Sequence, residues 1–173
     1  MIVNYSHYPV IHNNSQPSIF LAGPTPRSKD IISWRKEAIN ILEQLNFNGI
    51  VYVPECEFTR SGFDYTTQVE WEWEAMKAAD IIVFWIPRSE ELPGFTTNVE
   101  FGYWLAKNKY KVYYGRPADS IKNKYLDKLY AHVSDDGTDK KPFEALDKLL
   151  YHVVVALNMF EHTIKLLNTI QED

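Results

Sequence analysis

The chain has 173 residues, of which 45% are apolar, 24% charged and 14% aromatic; this is the size and apolar content of one ordinary folded domain and excludes a disordered chain. Its net charge of −5 argues against duplex nucleic acid as the main partner, because such binding draws on Lys and Arg neutralising phosphates. One cysteine, Cys56, excludes an internal disulfide and any cysteine-clustered zinc or iron–sulfur site.

Met1–Ser18 is polar and aromatic, without the basic-then-apolar pattern of a secretion signal. No apolar run approaches the roughly 18–20 residues of a membrane span, so a soluble, cytoplasmic protein without membrane contact is expected. Residues 1–17 read as an N-terminal extension and 18–173 as a single domain. Ser18–Ala22 is a short apolar run that ends at Gly23-Pro24-Thr25-Pro26, the pattern of a buried strand entering a loop. From Asp30, an expected N-cap, Ile31, Trp34, Ala38, Ile41, Leu42 and Leu45 recur at helical spacing. Gly49–Val53 is a second strand stopped by Pro54, and a second helix is expected over 64–79 after a polar loop.

Asp80–Ile86 is the most strand-like segment of the chain and stops at Pro87. A loop with Pro93-Gly94 leads into a third helix over 97–108, and Lys111–Tyr114 is a fourth strand closed by Gly115-Arg116-Pro117. The remainder has mostly helical periodicity, broken at 134–141; its last helix is expected to carry Phe143, Leu146, Leu149, Leu150, Val153 and Leu157. Strands that are apolar runs, alternating with helices, predict an α/β fold: a flavodoxin- or Rossmann-like parallel sheet flanked by helices, with C-terminal helices beyond it. In such a sheet the ligand sits beyond the carboxyl ends of the strands.

Two carboxylates stand near those ends. On the second helix, Trp71, Ala75, Ala78 and Ala79 form the core face and Glu70, Glu74 and Lys77 lie opposite, whereas Glu72 shares an arc with Tyr65 and Gln68 beside the core. That position fits a shielded acid oriented by an amide and a phenol, or a helix-edge glutamate with a snorkelling stem. In the third helix Glu100 is expected in the first turn, where the amide dipoles favour an ionised carboxylate suited to nucleophilic attack. The alternative is a capping box, Thr97-x-x-Glu100. Facing each other across one strand, the pair suits cleavage of a glycosidic bond, including one to a nucleobase. The loop 22–28 with Arg27 offers backbone N–H groups and a guanidinium to an anion such as a phosphate, or is a stiffened turn with a solvated arginine. The five histidines are scattered, so no metal site is expected. Asp80 fits a turn or cap, and the lysines at 107, 109 and 111 a solvated surface.

Four segments together, I-F-L-A-G-P at 19–24, Q-V-E-W-E at 68–72, A-A-D-I-I-V-F-W at 78–85 and N-V-E-F-G at 98–102, resemble the nucleoside 2-deoxyribosyltransferase-like superfamily. The likeness spans about 18–117 and is nearest to short phage and bacterial members with F-W-I-P upstream of E-F-G. The resemblance implies a flavodoxin-like sheet and cleavage of an N-glycosidic bond of a nucleoside or its 5′-monophosphate. The intermediate would be a covalent glycosyl-glutamate, with transfer to another base or to water. It puts the nucleophile at Glu100 and the supporting acid at Glu72, where many members have aspartate, and Phe20 near the tyrosine that transferases often carry in the first strand.

By the same resemblance Gly23, Pro24, Arg27, Tyr65, Gln68, Thr96, Thr97 and Asn98 are expected around the substrate, and Trp71 or Phe95 against the base. No cofactor or metal is implied, and the partners would be a small nucleoside or nucleotide and further copies of the chain, a homo-oligomer. Two other functions stay open. One is a protein that holds a nucleotide or ADP-ribose-like ligand without turnover, as a sensor or sponge; the other is a scaffold acting through its C-terminal helix.

Overall fold

A computed structural model describes residues 1–172 apart from 14, 27, 29, 57–63 and 134–139. Five strands form one wholly parallel sheet: β1 (Ile2–Tyr5), β2 (Ser18–Ala22), β3 (Ile50–Val53), β4 (Ile81–Trp85) and β5 (Val112–Gly115), in the spatial order β1-β3-β2-β4-β5. Every residue of β2, β3 and β4 is buried, as expected of strands covered on both faces. This is a flavodoxin-like α/β fold.

Two cores result, one on each face. Helix α1 (Trp34–Gln44) and α5 (Leu146–Glu172) cover the first, with Ala38, Leu42, Leu149, Leu150 and Val153 fully buried against Ile19, Leu21, Val51 and Val83. Helices α2 (Tyr65–Ala78), α3 (Phe95–Lys107) and α4 (Lys124–His132) cover the other, where Trp71, Ala75, Phe101, Trp104 and Tyr130 pack on Phe20, Tyr52, Phe84 and Tyr114. The chain leaves β2 for β3 on one side, then crosses back over β2 to β4 on the other. The carboxyl ends of β2 and β4 therefore flank a topological switch point, the place where open α/β sheets hold ligands.

Several elements differ from expectation. The N-terminal stretch supplies an edge strand, β1, paired with β3 from Ile2↔Ile50 to Tyr5↔Val53; its four residues are too few for the composition of 1–17 to mark it. Helix α1 starts after Ser33, whose hydroxyl accepts from the Arg35 N–H, and not at Asp30. Phe143 is not helical but forms a parallel bridge with Gly115, its N–H donating to the Tyr114 carbonyl. Asp80 ties the amino ends of the two central strands, accepting from the Ser18 N–H (2.8 Å) and hydroxyl (2.6 Å), a structural role made across strands and not the local turn or cap expected. Most of the expected break at 134–141 lies outside the described residues. Among these residues no helix is long and apolar enough to cross a membrane.

Candidate active site

A cleft of about 720 Å³ opens at the switch point. Its floor includes Phe20 and Ala22 at the end of β2, and its walls are the loops after β2, β3 and β4 with the first turns of α2 and α3. Of the expected site residues, Glu72, Glu100, Gly23, Pro24, Tyr65, Gln68, Phe95, Thr96 and Thr97 line it together. Residues more than 70 positions apart in the chain thus converge because parallel strands deliver all their carboxyl ends to one edge.

Two expectations fall out differently. Trp71 is not at the cleft: it is 7% exposed, packed in the core near Phe20 and Tyr52, and its indole N–H donates to the Tyr8 carbonyl (2.8 Å). Its place on the core face of the α2 wheel outweighs the stacking role, since one ring cannot fill both positions. Asn98 does not line the cleft either; its amide oxygen accepts from the buried Arg88 guanidinium. Arg27 lies outside the described residues.

The Glu72 carboxylate accepts from the Gln68 amide (2.7 Å), and the same amide donates to the Pro54 carbonyl (3.3 Å), so α2 is pinned to the end of β3 at the acid itself. Burial pushes the Glu72 carboxyl up, while the Gln68 hydrogen bond and the Arg35 charge pull it back. Glu100 is neither in the first turn of its helix nor part of a capping box. Helix α3 begins two residues earlier than its apolar spacing predicts, after Gly94, which takes a left-handed conformation (φ 58°) and has no capping side chain. Thr97 therefore sits within the first turn and is buried, and Glu100 falls in the second turn, turned into the cleft. Burial first, and the neighbouring Glu72 charge second, push the Glu100 carboxyl up to about 8, against an opposing pull from Arg35. The dipole expected to favour an ionised Glu100 is thus outweighed by burial and by the neighbouring Glu72 charge, which disfavour ionising both carboxyls at once.

Sequence reasoning missed Arg35, which is 1% exposed and stands in the cleft wall. The signal was there: Arg35, Ala38 and Leu42 share the buried face of α1 at i, i+3 and i+7, and an arginine on a core face needs a dedicated set of acceptors. Among the described residues no three His, Cys, Asp or Glu side chains gather as a metal site.

A profile of the family described as "Nucleoside 2-deoxyribosyltransferase like" matches residues 16–117, more than half of the chain and all of the segments that build the cleft. The chain belongs to that family. In its fold this family member is similar to the 2-desoxiribosyltransferase from Leishmania mexicana, with a TM-score of 0.52 at 15% identity, over 80% of this chain and 97% of that one. No curated protein sequence matches the family member.

Proposed function

We propose that the protein cleaves the N-glycosidic bond of a nucleoside or nucleoside 5′-monophosphate and passes the glycosyl group to another base or to water. The single observation that carries this reading is the meeting of Glu72 and Glu100, from two different helices, in the cleft at the switch point of the sheet. Family membership supports nucleoside chemistry of the transferase kind.

In the proposed mechanism the Glu100 carboxylate forms a bond to the anomeric carbon as the bond from that carbon to the base nitrogen breaks. The electron pair leaves on the base, and Glu72 in its acid form supplies the proton that neutralises it. The glycosyl–Glu100 ester then gives up its sugar to a second base or to water, whose proton Glu72 takes back, so the acid is restored. Burial pushes both carboxyls up, and attack uses the form with Glu100 ionised and the proton on Glu72. Tyr65 and Phe95, 77% and 75% exposed at the first turns of α2 and α3, stand at the mouth where an aromatic base would pass. Phe20 presents no hydroxyl at the floor. No cofactor or metal enters the scheme.

Oligomerisation is part of the proposal. Tyr65, Val69 and Trp73 on α2, and Phe95, Val99 and Tyr103 on α3, run as i, i+4, i+8 stripes from the cleft mouth, and all but Val69 are largely exposed. Faces of this kind suit a second copy of the chain. Light scattering on the purified protein should give a multiple of the chain mass; a monomer at micromolar concentration would remove this part.

The test of the activity is incubation with ribo- and deoxyribonucleosides, their 5′-monophosphates and NAD, with and without free adenine or cytosine. Base release or exchange that is lost in Glu100→Ala supports the proposal. A second reading has one observation in its favour: a carboxyl held near 8 is mostly protonated at neutral pH, which fits a protein that holds its nucleotide without turnover. Ligand-induced thermal protection with no base release would favour it.

A further inference from the structure

The Arg35 side chain makes five hydrogen bonds, all to the end of β2, the loop after it or the loop after β3. Its Nε donates to the Leu21 carbonyl (2.9 Å) and its Nη2 to the Gly23 carbonyl (2.7 Å). Its Nη1 reaches the Glu55 carboxylate (2.6 Å), the Thr25 hydroxyl (3.2 Å) and, more weakly, the Pro24 carbonyl (3.4 Å). The neighbouring Trp34 indole also donates to the Pro24 carbonyl (3.2 Å), and the Ser33 hydroxyl donates to the same Glu55 oxygen (2.8 Å). Three consecutive residues of one helix start thus hold the loop after β2 and the loop after β3 in one frame.

That frame extends to the second helix bearing a carboxylate. Pro24 lies so close to Gly94 that a Cβ there would stand 2.6 Å from the Pro24 ring. Gly94 is the residue from which α3, and with it Glu100, departs. The guanidinium is therefore linked through Pro24 to the origin of α3. Its donors are directed at protein acceptors, so it acts on the site without holding substrate.

We propose that Arg35 is the positioning residue of the Glu72–Glu100 pair: it fixes the loop on which α3, and with it Glu100, rests, and it sets a buried guanidinium in the wall of the cleft that both carboxyls share. This rests on the glycosidic reading for its purpose, though not for its physics. The charged and titratable groups sharing the cleft with Glu100 are Glu72 and Tyr65 from α2, Arg35 and Lys36 from α1, Glu55 and Cys56 after β3, and Glu91 before α3. Of these, Glu72 and Arg35 are the ones whose charges act appreciably on Glu100, in opposite senses. Glu55 is paired to Arg35 at 2.6 Å, with the guanidinium nearly inaccessible.

Charge and clamp separate in three variants: Arg35→Lys keeps the charge and loses the fork, Arg35→Met loses both, and Glu55→Gln keeps an acceptor for the fork while removing its charged partner. Carboxyl carbons of the labelled full-length protein are titrated by NMR, with Glu100→Gln identifying the Glu100 signal. Relative to wild type the Glu100 midpoint should rise in Arg35→Met and stay near its place in Arg35→Lys and in Glu55→Gln. Base release in Arg35→Lys should drop by about 10- to 100-fold in kcat, as displaced reacting groups commonly cost. Base release at the wild-type rate in Arg35→Lys, which keeps the charge and loses the clamp, overturns the proposal even if Arg35→Met fails to fold, and so does an unmoved Glu100 midpoint in Arg35→Met. Midpoints that move as stated in a protein that releases no base would uphold Arg35's role and overturn the glycosidic reading instead.

Discussion

At the level of single residues, the decisive feature is a carboxyl kept protonated by its surroundings. An unfolded glutamate titrates near 4.5 and Glu100 in the fold near 8. A group whose folded value is raised adds stability below the unfolded value, and that contribution is lost as pH rises through the folded one. Ionising Glu100 therefore works against the fold between about pH 5 and pH 9. Glu100→Gln should match wild type in thermal stability at pH 5 and exceed it at pH 9 by on the order of 2 kcal/mol; a variant equally stable at both ends would show that Glu100 is not shielded. Glu72→Gln removes the neighbouring negative charge, so the Glu100 midpoint should fall and the rising limb of the base-release pH profile should move to lower pH. Its maximal rate should drop by about 10²- to 10⁴-fold, the usual worth of a positioned acid. Loss of rate with an unmoved limb would separate the two carboxyls electrostatically.

At the level of elements, the loops between strand ends and helix starts decide what the carboxylates face. Gly23 has φ of 152°, and a Cβ there would stand 2.1 Å from the Trp85 carbonyl oxygen. Backbone strain and a backbone clash act together, so Gly23→Ala should cost about 3 kcal/mol or more, read as a lowered urea midpoint. A cost under about 1 kcal/mol would mean that the loop shifts freely and does not build a rigid wall. Helix α3 shows where sequence periodicity misleads. Its apolar spacing sets in late because Phe95 and Thr96 are exposed, while the physical start is set by a left-handed glycine that carries no side-chain signal. Two residues of error moved Glu100 from an assumed first-turn anion to a buried second-turn acid. By contrast, the α2 wheel placed Glu72 beside Gln68 correctly, since an i, i+4 pair follows from helix geometry alone.

Across the whole molecule, the central strands and the class of fold were legible because β2, β3 and β4 are unbroken apolar runs. The edge strand β1 was not. It is half exposed, with Asn4 as its one buried residue, and it holds the domain through contacts no local pattern encodes. Besides its ladder to β3, the segment that follows receives the Trp71 indole N–H at the Tyr8 carbonyl and the Tyr52 hydroxyl at the Ile11 carbonyl (2.6 Å). Removing residues 1–13 would leave both buried donors unpaired, at about 1–3 kcal/mol each. The truncated protein should melt well below the full chain; equal melting temperatures would return residues 1–17 to the status of an appendage.

The central claim is that Glu100 becomes covalently bonded to a sugar. A 2-deoxy-2-fluoro nucleoside, whose fluorine disfavours the oxocarbenium-like transition states and so slows turnover of the glycosyl ester, is incubated at length with the protein and the mixture is read by intact mass and by peptide mapping. The account predicts a mass increase equal to the fluorinated glycosyl group, located on the peptide that carries Glu100, retained in Glu72→Gln at a slower rate and absent in Glu100→Gln. Stoichiometric labelling at any other residue, or base release from natural substrates that persists in Glu100→Gln, would contradict it.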